Sequence, residues 1–167
     1  MSNSIKASIE SNVTVKDIHQ AINAMGQYGC ILVPEFTFYD QRIDAILIKP
    51  EKTRRIMGFE IKVSRADFIQ DAKWQNYSRF CSSLSLACPS GLIKPEEIPS
   101  PFGLLWVEKK VDVRNWDKKE CVSYPYTWAK RPKDFQGNKG LAWTWTYLEV
   151  IELEFKRLAH EERMRHD

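Results

Sequence analysis

Long apolar runs are missing from this sequence. No stretch approaches the ~20 residues that a membrane-crossing helix requires, and the opening MSNSIKASIESN has no apolar core of the kind a signal peptide carries. The expectation is a soluble, intracellular chain with no membrane partner. Histidine is scarce, and His19, His160 and His166 are too scattered to form a zinc set. Cys30, Cys81, Cys88 and Cys121 contain no CxxC pair and have no histidine near them. Reduced, mostly buried thiols are therefore expected in place of a zinc site or disulfides. Internal repeats and low-complexity segments are missing as well.

What is present bounds size and partners. A chain of 167 residues with 43% hydrophobic and 12% aromatic side chains is enough for one core and too little for two, so residues 1–167 are expected to form a single domain. The formal net charge of +3 is compatible with a polyanionic partner without demanding one. Its distribution is uneven. Acids recur from Glu149 to Glu162, whereas Lys109 to Lys139 interleaves cations with Trp116, Tyr124, Tyr126 and Trp128. That second stretch is either a DNA-tracking surface or a solvated basic loop.

Local patterns give an order of elements. Thr14 opens TVKD, where the threonine can cap a helix, Asp17 can reach back, and Val13 can staple onto Ile18. Val15, Ile18, Ala21, Ile22 and Met25 then share one helical face, and Gly26 and Gly29 supply the stop. The texture changes at Cys30 to β-rich runs, CILVPEFTFY, RIDAILI and RIMGFEIKV, whose short connections predict an antiparallel meander. Ser64 opens SRAD, a second helix start, and apolar positions from Phe68 to Cys81 extend that helix from about Arg65 to Phe80. SLSLAC follows as a strand, and the strand–helix–strand order favours a parallel crossover. SGLIKPEEIPSP is a proline-bearing loop before the strand GLLWVEK. Beyond Asp112 a long basic loop or irregular subdomain is expected, followed by a C-terminal helix with Leu148, Ile151, Phe155 and Leu158 on one stripe. The fold class is α/β, with a mixed sheet of four to six strands flanked by the two helices and the late helix at its rim.

One strand carries an anomaly. In MGFEIKV side chains alternate, so Phe59, Ile61 and Val63 share one face while Glu60 and Lys62 share the other. Burying such charges without partners costs on the order of several kcal/mol each. The preceding run RIDAILI repeats the anomaly with Asp44. If these strands pair, Asp44 and Glu60 meet, and two close carboxylates need a cation between them or a proton on one. Their hard oxygens suit Mg²⁺ or Mn²⁺. Such a metal polarises a scissile phosphate and activates water, while the Lys62 ammonium orients that water or stabilises developing charge. The competing structural account is a cross-strand ion-pair network on a half-exposed sheet.

Asp44, a fifteen-residue gap, and then Glu60-Ile61-Lys62 resemble the D…ExK signature of the PD-(D/E)xK phosphodiesterases, with Ile43 where the name has proline. A longer stretch narrows the likeness. VPEFTFYDQRIDAILI, GFEIKVSRADFIQDAKWQNYSRFC and SLACPSGLI resemble the MmcB-like, DNA-repair-associated branch of that superfamily, over about the middle half of the chain. The resemblance implies a restriction-endonuclease-like core ordered α-β-β-β-α-β. It further implies a Mg²⁺- or Mn²⁺-dependent DNA endonuclease acting in repair or processing, in a cytoplasmic, nucleoid-associated location, with a homodimer left open. By the same resemblance the Ile61 carbonyl touches the metal, and Glu35, Asp67, Asp71, Lys73, Trp74 and Tyr77 join the neighbourhood of the site.

Several of these residues have plainer accounts. Glu35 is equally a solvent-facing acid after Pro34; Asp67 is explained by its spacing from Ser64; Asp71 and Lys73 fit as surface charges, with Lys73 able to reach a phosphate. Trp74 and Tyr77 lie at helical spacing, the usual mark of core packing. Two other functions compete with a nuclease: a non-cleaving nucleic-acid-binding repair accessory of the same fold, and a regulatory protein whose charged strand face docks a partner.

Overall fold

The computed structural model describes residues 8–10, 12–26, 30–38, 41–49, 55–71, 73–114 and 119–135. The expected C-terminal helix, and residues 115–118 and 136–139 of the basic aromatic stretch, with Trp116, lie outside the described residues. Among the described residues no helix is long and apolar enough to cross a membrane.

Helix α1 (Val15–Met25) starts as its capping signal requires. Thr14 Oγ1 accepts from Asp17 N at 3.3 Å and Asp17 Oδ2 accepts from Thr14 N at 2.9 Å, which satisfies two amides that the first turn leaves without helical partners. Ile18, Ala21 and Ile22 form its fully buried face. Gly26 ends it, in a right-handed conformation with φ −66°. The expected glycine stop is thus met by close approach and not by a left-handed turn: a Cβ there would lie 3.0 Å from both Cys30 Cβ and Leu47 Cδ1.

Strands β2 (Ile31–Phe38), β3 (Gln41–Lys49) and β4 (Arg55–Ile61) form the antiparallel meander. Strand β5 (Ser83–Pro89) joins β4 in parallel, and β6 (Gly103–Val107) joins β5 in parallel. Strand β9 (Tyr126–Lys130) closes the far edge antiparallel to β6, giving a six-stranded mixed sheet in the order β2-β3-β4-β5-β6-β9. Both faces are covered, so the central strands are apolar without alternation. On one face Ile18 and Ile22 pack with Ala45, Leu47, Phe59 and Leu105. On the other, Ile46, Ile48, Leu84 and Leu86 pack with Trp74, Ile93 and Phe102. Each fully buried Ile, Leu or Phe contributes roughly 1.5–3 kcal/mol, so this double layer is what fixes β4 in the centre.

Three expectations are corrected. First, the helix predicted to run from Arg65 to Phe80 is two pieces: α2 (Arg65–Gln70) and a 3₁₀ helix, Trp74–Phe80. Asp71 leaves the helix with φ −94° and ψ 95° because its carboxylate is recruited by Lys62 and by the Lys73 amide. Second, the stretch after Asp112 is not all loop. Strands β1 (Ser8–Glu10), β7 (Lys109–Val113) and β8 (Glu120–Ser123) make a separate three-stranded sheet, and β9 joins the main one. All four residues of β8 are exposed, so no buried face writes a period into its sequence. Third, only Cys81 and Cys88 of the four thiols are buried; Cys30 is intermediate and Cys121 exposed, and none of the four is in a disulfide. The proline-rich connection from β5 to β6 is an irregular segment with one short 3₁₀ turn, Pro95–Glu97. It is tied to α2 by Arg65, which donates to both carboxylate oxygens of Glu97 at 2.9 and 2.8 Å.

Candidate functional site

The site forms where β3 and β4 part. Their pairing ends at Ala45 and Phe59, and continuation of that register would set Ile43 opposite Ile61. Instead the Asp44 carboxylate takes the place of a strand acceptor, with its Oδ2 2.8 Å from Ile61 N. Side-chain alternation along β4 then sends Glu60 and Lys62 to the same side, as the sequence requires. Asp44, Glu60, Ile61, Lys62, Asp71 and Lys73 all line one open cleft of about 660 Å³, walled by the start of α1 on one side and α2 on the other.

Glu60 and Lys62 are buried, at 6% and 7% exposure. Lys62 Nζ donates to Glu60 Oε1 at 3.0 Å and to Asp71 Oδ2 at 2.6 Å. Asp71 Oδ1 in turn accepts from Lys73 N at 3.0 Å. The second oxygen of Glu60, Oε2, is buried and has no hydrogen-bond partner. Burial, followed by the charge of Asp44, pushes the Glu60 carboxyl up from 4.5 to about 7, and the Lys62 ammonium only partly offsets this. Burial also works against the Lys62 charge, but the hydrogen bond it donates to Asp71 and the Glu60 charge outweigh it and hold the ammonium above its usual range. Asp71 is held low: its burial is overcome by the bonds from Lys62 and the Lys73 amide.

Each residue singled out in the sequence can now be placed. Asp44, Glu60 and Lys62 converge, with Ile61 between them in the cleft wall. Glu35 is exposed with φ 50°, and the register on either side of it sets it opposite Asp44, although it is outside the cleft lining. Lys73 is exposed at the cleft edge. Ser64 caps α2, its Oγ accepting from the Asp67 amide at 3.1 Å, without the reciprocal bond from the Asp67 carboxylate that completes a capping box at Thr14, and Asp67 also lines the cleft. Trp74 is core, 3% exposed, with its ring edge-on to Phe102 at 4.8 Å. Tyr77 stands close enough for burial and then the charges of Glu60, Asp71 and Asp44 to raise its phenol. Trp128 of the basic aromatic stretch packs toward Phe59 at 6.3 Å, so it belongs to the core layer. Asp71, which the resemblance put near the site and its position alone left as a surface charge, is the second partner of Lys62, a pairing that nothing in the spacing indicated over Asp67.

The donor set suits a hard divalent cation. Glu60 Oε2 is a buried carboxyl oxygen without a hydrogen-bond partner, near a second carboxylate, and such a pair is relieved by a cation or a proton. Among the described residues no three His, Cys, Asp or Glu side chains gather as a metal-holding group. Asp44 and Glu60 are the carboxylates of the cleft that could hold a hard divalent cation.

A solved structure of a protein of unknown function from Silicibacter pomeroyi is similar to this chain with a TM-score of 0.67 at 20% identity, covering 92% of this chain and 94% of that one. At that identity the likeness speaks to the fold alone. No curated protein matches the chain. Residues 5–113 of 167 match the family described as DNA repair protein MmcB-like, a span that contains the whole cleft. The chain therefore belongs to the MmcB-like DNA repair protein family.

Proposed function

We propose that this protein is a Mg²⁺- or Mn²⁺-dependent DNA nuclease of the PD-(D/E)xK type that acts in DNA repair or processing. The observation that carries this reading is the buried, unpartnered Glu60 Oε2 beside Asp44 in a cleft open to solvent. Buried polar atoms without partners are rare, and a carboxyl oxygen of this kind in the lining of an open cleft marks a place for a ligand. Membership of a DNA repair family supports DNA as the substrate.

In this reading Asp44 and Glu60 hold the ion, with the Ile61 carbonyl as a third donor. The bond from Ile61 N fixes the Asp44 carboxylate, so one oxygen is locked and the other is free to bind. When bound, the divalent ion neutralises charge on the scissile phosphate and lowers the pKa of the attacking water. Lys62 directs its remaining N–H toward that water or toward the phosphate oxygen on which charge develops. Lys73, at the cleft edge, contacts the flanking phosphate.

A second reading has its own observation. Lys62 is already neutralised between Glu60 and Asp71, and a closed ion-pair network is what a non-cleaving, DNA-binding repair accessory would retain. Incubation with plasmid, single-stranded and branched DNA in Mn²⁺ separates the two. A nuclease cuts at least one of these, and Asp44→Ala and Lys62→Ala each lower the rate by at least about a hundredfold. Retention of DNA binding with no cleavage under any of these conditions refutes the catalytic reading in favour of the accessory.

A further inference from the structure

We infer that Asp71 is the positioning residue of Lys62: it keeps the ammonium anchored in the cleft when a divalent cation takes up Glu60. This rests on the metal site proposed above. An ammonium has three donors and no acceptor. In Lys62, one is directed to Glu60 Oε1 at 3.0 Å and one to Asp71 Oδ2 at 2.6 Å, while the side chain is only 8% exposed. A cation on Glu60 would have to share that carboxylate with Lys62, and two neighbouring positive charges repel. With Glu60 as its sole counter-charge, Lys62 would compete with the metal for the same oxygens. Asp71 supplies a second counter-charge from a different element, so ammonium and metal can stand side by side.

The chain is bent to deliver this contact. Helix α2 stops at Gln70, Asp71 turns to φ −94° and ψ 95°, and its other oxygen is held by Lys73 N at 3.0 Å. A carboxylate gripped on both oxygens gives Lys62 a fixed anchor in place of a floating surface charge. Asp71 also lines the cleft and stands near enough to Glu60 for their carboxyl groups to interact, but no three-acid group that could hold a metal forms among the described residues, and its ion pair is to Lys62.

A double-mutant cycle on the full chain tests this, with Mn²⁺ binding read by calorimetry in wild type, Asp71→Asn, Lys62→Met and the pair. Asp71→Asn is expected to weaken Mn²⁺ binding about tenfold, whereas in the Lys62→Met background the same change alters it less than about twofold, since the competing ammonium is gone. Asp71→Glu, which keeps the counter-charge, is expected to stay within about threefold of wild type. An equal loss in both backgrounds overturns the inference and makes Asp71 a metal ligand. Urea unfolding of the same four metal-free proteins reads the Lys62–Asp71 contact directly, and strictly additive effects there overturn it too. A wild type that shows this coupling but binds no Mn²⁺ overturns the metal site itself and the role that depends on it. A wild type that binds Mn²⁺ with no preference between the two backgrounds overturns the positioning role alone. Should Asp71→Asn fail to fold, Asp71→Ser carries the same comparison.

Discussion

Asp44 and Ile61 are joined by a 2.8 Å hydrogen bond from the backbone of one strand to the side chain of its neighbour, at the point where β3 and β4 stop pairing. A side chain has replaced a strand acceptor. The cleft lies at that split, and the carboxylate that bridges it has one oxygen committed to structure.

The two duties of Asp44 can be separated. Asp44→Asn keeps a carbonyl for Ile61 N and is expected to leave the unfolding free energy within about 0.5 kcal/mol of wild type, whereas Asp44→Ala orphans that amide and costs about 1 kcal/mol. Both should abolish Mn²⁺-dependent cleavage. Urea unfolding beside a cleavage assay checks this; an Asn variant as unstable as the Ala variant would show that the bond to Ile61 is not what Asp44 contributes to the fold.

Glu60 should make stability fall with rising pH. Its carboxyl is pushed up from 4.5 to about 7, first by burial and then by Asp44. Between those values the folded chain holds a proton that the unfolded chain has lost, so this group's contribution declines as pH rises through the window and levels off above it. The expected loss is on the order of 2 kcal/mol. Asp71, whose carboxyl is lowered, acts in the opposite sense and only in more acid solution. Unfolding measured from pH 5 to pH 8 should show the decline in wild type and a flatter profile in Glu60→Gln; equal slopes in the two would remove Glu60 as its source.

Gly58 is a packing requirement of the central strand. A Cβ there would meet Cys81 Sγ at 2.5 Å, Ile43 Cδ1 at 2.8 Å and Leu84 Cδ1 at 3.0 Å. Gly58→Ala is expected to cost about 1–3 kcal/mol through overpacking. Part of that cost should return in a Cys81→Ala background. Thermal unfolding decides it, and a cost that is the same in both backgrounds would place the strain elsewhere.

Trp74 tests whether an aromatic beside the site serves the fold or the nucleic acid. It is buried edge-on against Phe102, so Trp74→Ala should destabilise by roughly 3–5 kcal/mol. At a temperature where the variant remains folded, its DNA affinity should match that of wild type. A stable variant with weakened DNA binding would contradict the packing role.

Much of this arrangement was legible in the residues. The capping pair Thr14 and Asp17, the three β-rich runs and the parallel crossover follow from local chemistry and short connections, and the structure has them. The meeting of Asp44, Glu60 and Lys62 was legible because alternation is strict and charges in apolar strands are costly. The break at Asp71 was not. Apolar residues continue past it, and Ile69, counted toward a buried stripe, is 69% exposed; the helix is ended by an ion pair to Lys62 that no local pattern contains. Strands β7 and β8 were missed for a related reason, since their residues are half-exposed or exposed and carry no buried period.

Whether Asp44 and Glu60 hold a divalent cation is measured most directly by Mn²⁺ calorimetry at pH 7 in buffers of different ionisation enthalpy. A Glu60 carboxyl near 7 should release about half a proton as the ion binds, and both binding and proton release should vanish in Glu60→Gln and be severely weakened in Asp44→Asn. No saturable Mn²⁺ binding to the wild-type chain, or binding that survives both substitutions unchanged, would contradict the metal site.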